Sequence, residues 1–367
     1  MMMNIKKRID TIFQNHQDEL DAIIIKNGAE QFIDVNFFYV TGLSYGLFES
    51  SILIIFPDAT LHIITTSLEK EIADQSSAIV HVFQSKHELG EILQRILIHT
   101  EKIGIHGSGL LYSDYQFLKN HLSDKQFIDV TSSIHKSRMI KDQDEIEIIR
   151  NACNIADTVM EKIVSMINEN MTENDLASEI DYALQCNGAE QPAFATISSF
   201  GSHTSLPHYS HGEKTLKHGD FILCDFGARY QKYNSDMTRT FIFGAASKRQ
   251  HQIHETVKQA QQKAFNIIRP GIPAKTVHDQ VQRFIDGTHF KGCFIHSTGH
   301  SLGLSVHDPG VSLSSNCDVI LEENMVLTVE PGIYIQGFGG VRIEDDILIT
   351  KNGCERLTKT PQMLIEI

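Results

Sequence analysis

The chain has 367 residues, with 41% apolar and 21% charged, the balance of an ordinary soluble globular protein. At roughly 100–200 residues per domain, this length predicts two domains. The formal net charge of −14 argues against a phosphate-backbone binder and against docking on an anionic membrane, since both need a positive field.

The six cysteines include no CxxC pair, so neither a zinc knuckle nor a redox couple is expected, and their sparseness fits reduced thiols in a cytosol. The opening MMMNIKKRIDTIF turns charged too early for a signal peptide. The longest apolar run, Ile52 to Phe56, is far below the ~20 residues of a membrane span. The expectation is a cytoplasmic protein with no nucleic-acid or membrane partner.

Over the first ~135 residues, short strand-like runs alternate with helical ones, by the run-length criterion. DAIIIK, SSILIIFP, TLHIITT, AIVHVF, KIGIHG and QFIDVT read as strands. HELGEILQRILIHTE and SDYQFLKNHLS read as helices, the second with Ser113 as N-cap. This predicts an α/β layer over 1–138. The boundary falls near Met139 to Lys141, just before a long amphipathic helix. Ile146, Ile149, Cys153, Ala156 and Met160 recur on one face of it, and its start, Asp142 to Glu145, is acidic.

From 139 to 367 an α+β domain is predicted, with an internal repeat. Helices at about 143–166 and 173–187 lead into strands at 193–200 and 220–243. Helices at about 249–268 and 274–286 lead into strands at 293–306 and 325–350. Two sheets meeting at a pseudo-twofold seam would leave a concave site between them.

The charged residues of this second domain sit in unusual company. Asp225 ends the apolar run Phe221-Ile222-Leu223-Cys224, where an unpaired carboxylate costs several kcal/mol. Asp236 follows a turn-forming stretch, Tyr230 to Asn234, so two antiparallel strands would bring both aspartates to one face. Taken alone, each is more readily read as a turn residue or an ion-pair partner. His296, His300 and His307 lie within twelve residues among Gly299 and Gly303. Any one of them alone reads as a surface or core histidine; as a cluster they can bind metal or carry protons. Glu330 follows Met325 to Val329 and precedes Pro331-Gly332, which turn the chain. Strand alternation places Arg342, Glu344 and Asp346 on one face, as in an ordinary charged ladder or a site where a guanidinium orients a carboxylate. Oxygen-rich donors with one imidazole suit manganese, cobalt, iron or zinc. Five ligands exceed one tetrahedral zinc, and bridging carboxylates allow two ions ~3.5–4 Å apart.

DFGARYQKYNSDMTRTF, HSTGHSLGLSVHD, TVEPGIY and GVRIEDD together resemble, in order, the signature blocks of the "pita-bread" metallopeptidases. That family includes Xaa-Pro dipeptidase (prolidase), Xaa-Pro aminopeptidase and methionine aminopeptidase. NFFYVTG, RMIKDQDEIEIIRNA and the N-terminal α/β layer resemble the proline-specific branch with its creatinase-like N-terminal domain, which methionine aminopeptidases lack. The resemblance implies two divalent metal ions, manganese, cobalt or zinc, held by Asp225, Asp236, His300, Glu330 and Glu344. Asp236 and Glu344 would bridge them, and Glu330 would also shuttle protons. His208, in SLPHY, would contact the substrate and leaving amine, and His307 would stabilise the tetrahedral intermediate. His296 and Arg342 would support them. The implied substrate is a short proline-containing peptide, cleaved before proline by a dipeptidase or an aminopeptidase, and the implied assembly is a homodimer. Alternatives are creatinase, which lacks the metal ligands, and a non-catalytic interaction protein on the same scaffold. Two positions depart from the family pattern, Ser301 and Lys232, where glycine or a small residue is common.

Overall fold

Ala22-Ile23-Ile24-Ile25 has no polar face, which suits a strand covered on both sides. A computed structural model describes residues 5–367 and divides into two units between Arg138 and Met139. The first unit runs α1 (Ile5–Gln14), β1 (Ala22–Lys26), α2 (Asn36–Thr41), β2 (Ile52–Ile55), β3 (Leu61–Thr65), α3 (Lys70–Ala73) and β4 (Ile79–Val82). It continues with α4 (Lys86–Ile96), β5 (Lys102–Ile105), α5 (Tyr112–His121), β6 (Gln126–Asp129) and α6 (Thr131–Met139), which ends at the division. Its strands form one mixed sheet ordered β4-β3-β2-β1-β5-β6, in which β1 and β2, apolar except for the terminal Lys26, take the centre. Leu89, Leu93 and Leu118 of α4 and α5 pack with Ile24, Ile54 and Ile103 of the sheet.

Ser113 does not cap α5. The Leu111 carbonyl already accepts from the Asp114 and Tyr115 N–H groups, so the helix begins before Ser113 and that residue falls inside its first turn.

The second unit opens with α7 (Gln143–Met166). Asp142 accepts from the Glu145 N–H and the Glu145 side chain accepts from the Asp142 N–H, a reciprocal cap that stops the acidic start from fraying. Then come α8 (Glu173–Cys186), β7 (Gln191–Pro192), β8 (Ile197–Phe200), β9 (Phe221–Phe226), β10 (Ala228–Tyr230), β11 (Tyr233–Asn234) and β12 (Met237–Ile242). The second half has α9 (Lys248–Ile267), α10 (Ala274–Asp286), β13 (Val326–Val329), β14 (Gly332–Ile335), β15 (Gly339–Arg342), β16 (Asp345–Thr350) and β17 (Gly353–Arg356). The repeat is therefore present as two helix pairs, each against its own sheet. One core joins Ala156, Val159 and Leu176 to Ile222 and Phe241, and the other joins Val257, Ala260 and Val281 to Leu327 and Ile347.

Three strand expectations change, one of them 325–350, which divides into β13 to β16 across two sheets. The stretch 220–243 is not continuous: Gly227 leaves the β9–β12 ladder, and Tyr230 pairs with Tyr233 across a tight turn. Gln231 and Lys232 in that turn have φ of 46° and 70°, the left-handed geometry that makes glycine common at such a position. The stretch 293–306 forms no strand, only single bridges from His300 to Ser312 and Ser301 to Leu327. The reason is crowding. The backbone at Gly299 lies against the Thr328 carbonyl, where a Cβ would collide, so the segment threads between two neighbours without building a ladder on either.

Candidate metal centre

Each half-sheet places carboxylates where a strand starts or stops. Asp225 is the penultimate residue of β9 and pairs with Thr238 of β12, so Asp236, two residues before Thr238, shares its face. Glu330 directly follows β13, and Glu344 directly precedes β16, where Val329 and Asp345 are partners. The halves are stitched at this level: the Glu344 N–H donates to the Thr238 carbonyl, and the Arg239 guanidinium donates to the Glu344 carbonyl. His300 comes from the irregular segment, held by its N–H to Thr328 Oγ1 at 3.1 Å.

The five side chains line one cavity of about 580 Å³, together with His208, His296, His307 and Arg342. Asp236, His300 and Glu344 each offer a ligand atom within 4.8 Å of the others. His300 Nε2 lies 3.6 Å from Glu330 Oε1 and 3.7 Å from Asp236 Oδ2. Arg342 donates to Asp225 Oδ2, Thr238 Oγ1 and the Tyr334 hydroxyl, and Thr238 donates to Glu344 Oε2 at 2.6 Å. His296 Nδ1–H donates to the Ser297 carbonyl at 2.7 Å, leaving Nε2 to accept from Tyr334 at 2.9 Å. His307 stacks on His300, with ring centroids 3.9 Å apart.

These donors fit divalent cations. His300 Nδ1 faces the Ser301 carbonyl at 3.1 Å, which fixes its proton there and aims the Nε2 lone pair at the carboxylates. Asp225 Oδ1 and Asp236 Oδ1 are buried with no hydrogen-bond partner. Burial, then repulsion from Glu344 and Asp225, holds Asp236 well above the usual carboxylate range. Burial and then Glu330 do the same to Glu344. Burial pushes Glu330 up to about 8 against the pull of Arg342, and burial pulls His300 down to about 4. A buried cluster of like charges that keeps bare oxygens and a neutral imidazole is stable as anions only with cations among them.

This has a measurable consequence. In metal-free protein Glu330 keeps its proton up to about pH 8, whereas an unfolded glutamate releases it near 4.5. The folded state binds more protons across that window, so stability falls as pH rises. His296 and His300, held at about 4, act in the opposite sense, but only below their unfolded value of 6.5. From pH 6.5 to 8 the metal-free Tm should therefore drop, at no more than about 1.4 kcal/mol per pH unit for each retained proton. Manganese should flatten the slope. Thermal melts with and without metal check this, and a metal-free Tm that rises over this range would contradict it.

Some neighbours were not singled out from sequence. Tyr334 bridges Arg342 and His296, and Thr238 bridges Arg342 and Glu344. Both lie inside the quoted motif blocks, but nothing in their spacing marks them. Asp346 accepts from the Asp236 N–H and the Cys153 thiol, and does not line the cavity.

Residues 147–351 match Metallopeptidase family M24, and residues 7–140 match the Creatinase/Prolidase N-terminal domain. A Xaa-Pro dipeptidase of Pyrococcus horikoshii is 40% identical over 100% of this chain and 99% of its own length. The crystal structure of a prolidase from Pyrococcus horikoshii matches at 36% identity with a TM-score of 0.88, covering 99% of this chain and 100% of that one. An X-Pro aminopeptidase from Thermotoga maritima matches at 32% identity with a TM-score of 0.90, covering 95% and 98%. No helix among the described residues is long and apolar enough to cross a membrane. By these matches and the fold described above, the chain belongs to metallopeptidase family M24, with a creatinase/prolidase N-terminal domain and a pita-bread second domain.

Proposed function

We propose that this protein hydrolyses the peptide bond preceding proline in Xaa-Pro dipeptides, with Asp225, Asp236, His300, Glu330 and Glu344 holding two divalent ions. The observation that carries this reading is the bare oxygens of Asp225 and Asp236 on residues that line one cavity with a His300 held neutral by burial, in a chain 40% identical end to end to a Xaa-Pro dipeptidase. When bound, the ions would supply an acidified water and polarise the scissile carbonyl. Glu330 takes up the proton released at the attacking oxygen and delivers it to the departing nitrogen. His307, held neutral by burial and by His208, donates an N–H to the developing oxyanion. His208 orients the proline side. Arg342 aims Asp225 by donating to its Oδ2, and Tyr334 keeps His296 in one tautomer. A bond to proline lacks an N–H and isomerises, which calls for a dedicated pocket. We further assign manganese, cobalt or zinc to the site, and a cytoplasmic homodimer as the working form.

An aminopeptidase acting on longer peptides is the second reading. It is favoured by a recess beside the site that shares Pro207, His208 and His296 with the main cavity and is flanked by exposed Leu206 and Ile295. Manganese- or cobalt-reconstituted protein should cleave Xaa-Pro at least tenfold better than Xaa-Pro-Yaa in parallel kcat/KM assays. The reverse ranking would establish the aminopeptidase reading. Inactivity on both at full metal content would leave an interaction protein.

A further inference from the structure

His208 has an exposed ring, and among the described residues it makes no side-chain hydrogen bond. Its position is therefore set by its backbone, and that backbone is tied to one buried carboxylate. Glu173, the first residue of α8, is fully buried. Glu173 Oε1 accepts from the Phe200 N–H at 2.8 Å and from His203 Nδ1 at 2.9 Å, and Oε2 accepts from the Tyr209 hydroxyl at 2.9 Å. These donors sit at the end of β8, in the helical turn Gly201–Ser205, and immediately after His208. Leu206, Pro207 and His208 lie between the last two anchors, His203 and Tyr209, and Pro207 and His208 line the site cavity. The same segment reaches the second half-sheet, where Thr204 Oγ1 accepts from the Gly340 N–H at 2.7 Å.

Glu173 is not needed to cap its helix, because Thr172 and Asp175 already form the reciprocal cap. Burying a carboxylate costs several kcal/mol, so its place needs another reason. Three donors converge on it, an amide, an imidazole and a phenol, and a carboxylate meets all of them as acceptor only. The positive end of α8 adds to its stability. We propose that Glu173 is a positioning residue, clamping the 200–209 segment so that His208 is presented in place before substrate arrives. Fixing the segment in advance removes an ordering cost that would otherwise fall on binding and on the reacting geometry. The inference rests on the reading of His208 as a substrate-contacting group.

The test compares Glu173→Ala, Glu173→Gln, Tyr209→Phe, His208→Ala and the Glu173→Ala/His208→Ala double variant in manganese-loaded full-length protein. Turnover of an Xaa-Pro dipeptide is expressed per mole of metal-loaded enzyme. Glu173→Ala should lower kcat/KM by about tenfold or more, as misplaced substrate-positioning groups do, at unchanged metal content. Glu173→Gln should restore most of it, since an amide oxygen can serve Phe200 and His203 while its NH2 donates to the Tyr209 oxygen. Tyr209→Phe should lower kcat/KM severalfold, and it carries the same cycle with His208→Ala if Glu173→Ala fails to fold. On the His208→Ala background either change should add less than about twofold, because coupled residues are not additive. Full activity in Glu173→Ala, with His208→Ala impaired, overturns the clamp. So does an undiminished Glu173→Ala effect on the His208→Ala background. An unimpaired His208→Ala instead removes the role of His208, and the clamp with it.

Discussion

Glu330→Gln should lower kcat by about a thousandfold, within the 10²–10⁴ that a positioned proton acceptor contributes, while metal remains bound. The geometry explains why one atom exchange has such leverage. Glu330 leaves β13 just before Pro331, so its side chain is fixed by a strand on one side and a turn on the other. Its Oε1 is 3.6 Å from His300 Nε2, and its Oε2 is 3.7 Å from His296 Nδ1. Glutamine keeps the shape and one oxygen for coordination, but cannot take up a proton at neutral pH. Burial already brings Glu330 to about 8 in metal-free protein, close to the operating range of a group that must both accept and return a proton. The measurement is single-substrate kinetics at saturating manganese, with metal content determined on the same sample. Near-normal turnover at full occupancy would falsify the proton-transfer role.

Asp236→Asn should abolish turnover by a different route, without lowering metal-free stability. Asp236 Oδ1 is buried and bare, and the residue suffers burial plus repulsion from Glu344, Asp225, Asp346 and Glu330. Its backbone N–H is tied to Asp346 Oδ2 at 2.9 Å, so the substituted side chain stays where it is. Asparagine escapes both that repulsion and the cost of holding a proton at pH 8, so the metal-free variant should melt at or above the parent there. The same change deletes an anionic donor, so metal affinity should fall at least a hundredfold, at the upper end of what loss of an outer-shell partner alone does. At excess metal this removes about 2.7 kcal/mol of ligand-derived stability, and the manganese-induced rise in Tm should largely vanish. Calorimetric titration with manganese and paired melts measure both effects. A variant that binds metal as tightly as the parent, or whose metal-free form melts well below it at pH 8, contradicts the assignment.

Much of this candidate centre is legible in the sequence. Asp225 announced itself because a carboxylate closing an apolar run has to be compensated, and Glu330 because proline and glycine stop its strand at a defined place. The helices of the second unit were legible from apolar periodicity and from acidic starts such as Asp142 to Glu145. The sequence points to an α5 cap two residues too late, since a serine near a helix start is a cap only if no earlier carbonyl has begun the helix. The 293–306 stretch read as a strand because its composition cannot reveal that Gly299 is pressed against the Thr328 carbonyl.

The sequence alone determined the donor types, their order along the chain and the two-part organisation, because these follow from local propensity and from the cost of burying charge. Only the tertiary structure decided which donors meet. The register of β9 with β12 and of β13 with β16 selects the faces, and the bonds from Glu344 to Thr238 and from Arg239 to Glu344 join the two half-sheets at the level of the site. Glu173 belongs wholly to that second category. Nothing in its neighbourhood in sequence separates it from a solvent-facing first-turn acid, and its role exists because residues 27, 30 and 36 positions away fold back onto it.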